Sequence, residues 1–293
     1  MQTIFALRMK TLRKEYGYTQ SDVANLLEIG QTTIANYENG SRVPDIAKLS
    51  KIADLYQVSV DYLLGRTRER TLIGMASEPT SQGQHLSYED YMESLLLVSK
   101  KRARDIVTAL LQGDLEPDRI YEDYIRRSLR ETGDLWERGI VSIWKEHSIS
   151  EISLEMMALL KKGASEEKHG GKPVLAFTPG AEVHSIGLRM LSDQLEARGF
   201  DVIFLGTGIP TENILQAIED RKPQAILISV TMPYHIDSAK NLITRIRETL
   251  GGMAPKIFIG GEAFENVAEA AKFTGADKYC TKFNDLLKNL KKI

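Results

Sequence analysis

Cysteine is almost absent from this 293-residue chain, which carries it once, at Cys280. One thiol excludes a disulfide framework and a thiolate zinc site, so Cys280 reads as a small strand residue. There is no run of about 18 or more apolar residues and no basic-then-apolar leader, so a membrane span and a secretory signal are not expected and a cytoplasmic protein is. Charge of one sign is also missing: 38 Lys and Arg stand against 40 Asp and Glu, a net charge of −2, which leaves no general basic coat for nucleic acid. Residues 1–70 hold ten basic against eight acidic residues, leaving −4 for the rest. That weak asymmetry is compatible with one small DNA-binding head on an acidic body. What the chain does have is length enough for two or three domains and an ordinary globular composition, 42% hydrophobic and 27% charged.

Residues 5–65 read as five short helices. Phe5, Leu7, Met9 and Leu12 start an amphipathic helix that Gly17 ends, and Thr19 caps a second from Gln20 to Leu27. After a turn at Gly30, a third helix from about Thr32 to Asn39 sets Ile34 and Tyr37 inward and Gln31, Thr33 and Asn36 outward, and Gly40 stops it. Pro44-Asp45 opens a fourth, and Val60, Tyr62 and Leu63 close a first domain at 1–67. Residues 68–87, with Pro79, Gly83 and a solvated His85, lack apolar periodicity and form a linker. Residues 88–163 supply four more helical segments, enough for a bundle. A second linker holds His169. Across 172–293 strands near 173–179, 201–206, 224–230, 256–261 and 277–281 alternate with helices near 185–198, 211–222, 236–250, 264–274 and 283–292. Such alternation implies a parallel sheet covered on both faces.

Three strand ends carry the chemistry. Glu182-Val183-His184-Ser185-Ile186-Gly187 follows the apolar run from Val174 to Phe177, which puts His184 on a loop at a strand's carboxyl end, where open α/β sheets bind ligands. Ser229-Val230-Thr231 follows a second apolar strand and Gly260-Gly261 a third. Taken alone, His184 would more simply be a surface or capping histidine. An imidazole beside small hydroxyls and a glycine pair describes instead a metal-ligating histidine with room for a long, flat group.

These three parts, in this order, resemble the cobalamin-binding domain family, whose signature is Asp-x-His-x-x-Gly, then Ser-x-Leu or Ser-x-Thr, then Gly-Gly. Glu182 stands where that family usually has Asp, and keeps the carboxylate that can fix the histidine tautomer. The resemblance implies a flavodoxin-like (Rossmann-type) α/β domain with five parallel strands in the order 2-1-3-4-5. It also implies that Glu182, His184, Ser185, Gly187, Ser229, Thr231, Gly260 and Gly261 hold cobalamin, with His184 on the cobalt. Thr19-Gln20 through Asn39-Gly40, with Arg42-Val43-Pro44, resembles the phage-repressor (xenobiotic-response-element) helix-turn-helix family. By that likeness Gln31, Thr32, Thr33 and Asn36 reach base edges of a double-stranded DNA operator, while Gln20 and Arg42 hold phosphates. Trp136, followed nine residues later by Glu146-His147, resembles the bundle that covers the upper face of cobalamin in the light-sensing repressor family. Either Trp136 or Trp144 alone would read as a core aromatic. There is one departure: those repressors have His directly after the bundle Trp to capture cobalt once light has broken the carbon–cobalt bond, and here Glu137 occupies that place. A carboxylate is a poorer partner than imidazole for low-spin cobalt, so either His147 substitutes as the ligand, or His147 only contacts the upper ligand and the photolysed state carries water.

The expectation is therefore a multidomain regulator and not an enzyme: an all-α helix-turn-helix, a four-helix bundle and a flavodoxin-like sheet. It would read DNA and sense a cobalamin, adenosylcobalamin favoured over methylcobalamin or hydroxocobalamin, as a light-responsive homo-oligomer, dimer or tetramer. The rival is a corrinoid carrier for a methyltransferase or mutase, which uses the same bundle and histidine loop but has no evident need of a DNA reader. A phosphorylated response regulator would require an acceptor Asp at a central strand end, and none is convincingly placed.

Overall fold

The structure, a computed structural model, describes residues 2–67, 70, 86–113, 115–162 and 173–293. His85, His169 and most of both expected linkers lie outside the described residues. The chain divides into two compact units, Met1–Met156 and Met157–Ile293, so the head and most of the bundle fall together where the sequence suggests separate domains.

The first unit begins with α1 (Gln2–Glu15), α2 (Gln20–Leu26), α3 (Gln31–Glu38), α4 (Ile46–Leu55) and α5 (Val60–Leu63) around one core that includes Phe5, Met9, Val23, Ile34, Tyr37 and Ile52. Polar caps set the helix starts: Thr19 and Asp22 form a reciprocal capping box on α2, and Asp45 and Ser59 accept from the backbone N–H of Lys48 and Tyr62. Glu38, at the end of α3, is buried but paired. It accepts from Arg13 on α1 at 2.5 and 3.0 Å and from Gln20 on α2 at 2.9 Å, which locks α3 to both neighbours.

The unit continues with α6 (Tyr88–Leu96), α7 (Lys100–Gln112), α8 (Pro117–Ile120), α9 (Arg127–Glu137) and α10 (Ile143–Lys162), whose last turn belongs to the second unit. Where the sequence predicts one helix from Ile120 to Leu135, a π-helical stretch, Tyr121–Arg126, separates α8 from α9. Its wider turn keeps Tyr121 and Ile125 buried and brings the Tyr124 ring to 6.2 Å from Tyr88 and 6.0 Å from Tyr91.

The second unit holds β1 (Val174–Phe177), β2 (Val202–Gly206), β3 (Ala225–Ser229), β4 (Lys256–Gly260) and β5 (Lys278–Tyr279), all parallel, in the order β2-β1-β3-β4-β5. The helices α11 (Ile186–Glu196), α12 (Thr211–Arg221), α13 (Ile236–Leu250), α14 (Ala270–Thr274) and α15 (Phe283–Leu290) cover both faces. The pleat sorts the residues: Leu175 and Phe177 pack with Ile214 and Leu242 of α12 and α13, whereas Val174 and Ala176 pack with Leu188 of α11 and Leu286 of α15. Each fully buried Leu, Ile or Phe contributes roughly 1.5–3 kcal/mol, against ~0.2–1 kcal/mol for an exposed ion pair. The apolar layers thus hold the sheet and leave its carboxyl-end loops free for polar work.

The helix expected near 264–274 is shorter. Ala263 N–H is drawn to the Val230 carbonyl at 3.2 Å, Glu262–Phe264 form a 3-10 turn, and Glu269 adopts a left-handed φ of 49°, so α14 starts only at Ala270. Among the described residues no helix is long and apolar enough to cross a membrane.

Candidate functional site

Glu182 organises the strand-end loops. It is fully buried, and its Oε1 accepts from the backbone N–H of His184 at 3.0 Å and from His184 Nδ1 at 2.5 Å. Its Oε2 accepts from the N–H groups of Thr231 and Met232, both at 2.9 Å, so one carboxylate ties the β1–α11 loop to the β3–α13 loop. Burial pushes this carboxyl up, but the N–H groups of Met232 and His184, the His184 ring and the Thr231 N–H outweigh it and hold the group below its ordinary value. Glu182 is therefore ionised and can only accept. A proton therefore lies on Nδ1, between ring and carboxylate, and Nε2 is the nitrogen left for other contacts on a ring that is 49% exposed.

Thr178, buried at the end of β1, donates its hydroxyl to the Glu182 carbonyl at 2.6 Å and fixes the loop from the other side. Sequence reasoning passed over Thr178, although a hydroxyl directly after an apolar strand is a legible signal. The Met232 N–H left no such signal, because a backbone donor has no residue type.

Opposite the histidine loop, Ser229 lies in register with Gly260 on neighbouring strands, and Val230 N–H donates to the Gly260 carbonyl at 3.0 Å. Gly261 has φ 106°, and a Cβ there would overlap the Val230 backbone, so only glycine lets the two strand ends approach. Gly187 is different. It lies in the first turn of α11, where a Cβ would meet nothing within 4 Å, so beside it the surface is open. Ser185, half-buried, precedes α11 and makes no side-chain capping bond. A half-exposed imidazole held through Nδ1, small hydroxyl residues and a glycine pair at neighbouring strand ends are a donor set and a small-residue cradle that fit a corrinoid. The structure brings together Glu182, His184, Ser229, Thr231, Gly260 and Gly261. Cys280 is half-buried near them, and burial, then Asp285, pushes its thiol up to about 11, so it is no nucleophile.

Trp136, Glu146 and His147 belong to the first unit. Trp136 is 45% exposed at the end of α9, not a core aromatic. On α10 His147 Nδ1 lies 2.6 Å from Glu146 Oε2, and Glu146 Oε1 accepts from Ser150 at 2.9 Å. Trp144, also exposed, stands beside them. Glu137 is exposed as well.

On the head, Gln31, Thr32 and Arg42 are exposed, while Thr33 and Asn36 are half-buried. Ser41 donates to Asn36 Oδ1 at 3.2 Å, and Arg42 N–H to the Asn36 carbonyl at 3.2 Å, so the segment after α3 folds back on it. Gln20 is not wholly free to face outward, since one hydrogen of its amide is spent on Glu38.

Family models match the chain in three pieces. A helix-turn-helix model covers residues 9–63, and two models described as B12 binding domains cover 88–161 and 172–290. The HTH-type transcriptional repressor CarH of Myxococcus xanthus is 25% identical over 252 residues, covering 84% of this chain and 76% of the relative. The chain thus joins a helix-turn-helix to two B12 binding domains. The head alone is 48% identical over 59 residues to the HTH-type transcriptional regulator ImmR of Bacillus subtilis (strain 168), which spans 20% of this chain and 46% of that relative. With the likeness to CarH and ImmR, these domains make it a cobalamin-binding, DNA-binding transcriptional regulator. For the bundle and sheet, the monomethylamine corrinoid protein of Methanosarcina barkeri superposes with a TM-score of 0.60 at 18% identity, over 68% of this chain and 94% of that one. That likeness speaks for the fold.

Proposed function

We propose that His184 would ligate the cobalt of a bound cobalamin, and that Ser229, Thr231, Gly260 and Gly261 would hold its nucleotide tail. The observation that carries this is the buried, four-bonded Glu182, which holds His184 through Nδ1 and leaves Nε2 as the ring nitrogen open to a ligand. Among the described residues no group of three or more His, Cys, Asp or Glu could hold a bare ion, and a lone imidazole suits a metal that brings its other ligands with it. Ser185 and Gly187 flank the same loop. Trp136, Glu146 and His147 meet the upper ligand, for which adenosylcobalamin is the preferred form. Cobalamin supplies a light-labile carbon–cobalt bond when its upper ligand is alkyl. The chain's own residues ligate, shield and position it.

In this reading residues 1–67 form the DNA reader, 88–163 the bundle and 172–293 the cobalamin domain, joined by the linker at 68–87. Gln31, Thr32, Thr33 and Asn36 read base edges of an operator, Arg42 grips phosphate, and Gln20 offers a phosphate its second amide hydrogen. The protein acts in the cytoplasm as a homo-oligomer, because one small head reads only a few base pairs and half-sites are normally paired. Its signal would be the binding or loss of cobalamin's upper ligand, with Trp136, Glu146 and His147 the residues that would respond.

The test is to load the purified protein with adenosylcobalamin in the dark and record absorbance, sedimentation and binding to the duplex upstream of its own coding region, before and after illumination. Asn36→Ala is expected to weaken specific binding by about 1–3 kcal/mol at constant salt, the loss of a bidentate base contact. Unchanged binding by Asn36→Ala and Gln31→Ala together would remove α3 as the reader.

A further inference from the structure

The DNA-reading head does not hang on its linker; it is docked on the bundle at two places of very different character. At the first, Arg8 of α1 is 3% exposed and donates to Glu93 of α6, itself 7% exposed, and to the carbonyls of Tyr62 and Thr67. Its guanidinium also lies 4.0 Å from the centroid of the Tyr62 ring. Glu93 takes a second guanidinium, that of Arg102, at 2.7 Å. Pulling α1 off α6 would strand buried charges, so this contact is an anchor.

At the second place, Arg138 donates to the carbonyl of Asn39, the residue that caps the C-terminus of the reading helix α3. Ile140 packs over Gly40 there, its Cδ1 3.8 Å from where a Cβ would stand. Arg138 is exposed, and a solvated bond of this kind is weak. The turn that carries it is tight: Gly139 N–H donates to the Trp136 carbonyl at 2.8 Å, and Ile140 and Val141 N–H both donate to Leu135. Trp136 and Arg138 therefore move as one piece. With α1 held fast, the end of α3 is the side of the head able to yield.

We propose that the turn from Trp136 to Val141 is a transmission contact, through which the cofactor's load on Trp136 changes the hold of Arg138 and Ile140 on the C-terminus of α3 and so regulates DNA reading within a single chain. This rests on the functional reading above, in which Trp136 meets the upper ligand. It adds a route that does not require a change of oligomeric state, since every residue in it lies in one unit of one chain.

Amide hydrogen exchange of the full chain tests it, with and without adenosylcobalamin in the dark, loading followed by absorbance and size by sedimentation. In the wild type, loading should change exchange several-fold at Gly40 and Arg42, whose N–H groups bond to Tyr37 and Asn36. In Arg138→Ala the same amides should not respond to loading, while the absorbance spectrum and the protection of α1 and α6 stay as in the wild type. A bound spectrum with no response at residues 36–42 of the wild type overturns the proposal. So does an Arg138→Ala protein that responds as the wild type does, or a response that appears only where sedimentation shows association. If no bound spectrum forms at all, the functional reading itself falls and this inference with it.

Discussion

The molecule contains two glutamate–histidine pairs with nearly the same contact and opposite surroundings. In Glu182–His184 the carboxylate meets Nδ1 at 2.5 Å, and in Glu146–His147 at 2.6 Å. Glu182 is wholly buried and takes three backbone N–H groups besides the ring, whereas Glu146 has only the Ser150 hydroxyl as a further partner and His147 is 73% exposed. The first pair is built before any ligand arrives, because the loops it joins cannot keep their backbone donors satisfied without it. The second is exposed and stands on fewer bonds. In the function proposed above, the buried pair would hold the cofactor and the exposed pair would be the one free to respond to its upper ligand.

Substitutions can break that contrast. The largest effect is expected from Glu182→Ala, which leaves three backbone N–H groups without an acceptor. It should cost about 3–5 kcal/mol, read as earlier loss of exchange protection in β1 and β3 of the full chain during denaturation, together with loss of cobalamin binding. Gly261→Ala comes next. The required φ of 106° and the overlap with Val230 predict a cost of about 2–3 kcal/mol and a splaying of β3 from β4 at the Ser229–Gly260 pair. That splaying is visible as lost protection of the Val230 amide. The smallest effect is expected from Glu146→Ala, at most about 0.5 kcal/mol on stability, as for other exposed pairs. Cobalamin should still bind to it, with an altered upper-ligand band in the absorbance spectrum. If Glu146→Ala instead unfolds the protein as Glu182→Ala does, the upper pair is structural and the contrast disappears.

The same contrast explains what could be read from the sequence. The arrangement of the strand-end loops was legible because its demands fall on residue types: a carboxylate two places before the histidine, a hydroxyl at the end of β3, a glycine whose φ and close approach admit nothing else. The parallel sheet followed from alternation, while its strand order came from the resemblance to the cobalamin-binding family together with right-handed crossovers. The π-helical stretch Tyr121–Arg126 was not legible, because the same apolar and aromatic residues satisfy an α-helix of similar length. Neither was the truncation of α14, which depends on where the Ala263 N–H finds its acceptor on another strand. The docking of the head was equally hidden: Arg8 and Glu93 are 85 positions apart, and each alone reads as a solvated helix charge.

The central claim, that His184 and not the cofactor's own base ligates cobalt, can be put to one spectrum. Protein labelled with the heavy, spin-half nitrogen isotope in histidine alone is loaded with unlabelled cobalamin, reduced to the cobalt(II) state, and examined by electron paramagnetic resonance. The account predicts that each resolved cobalt line splits into a doublet from the labelled imidazole, and that the doublet is lost in His184→Ala but kept in His147→Ala. A triplet in the labelled wild type would mean that the unlabelled base of the cofactor still occupies the axial position, and would contradict the assignment of His184.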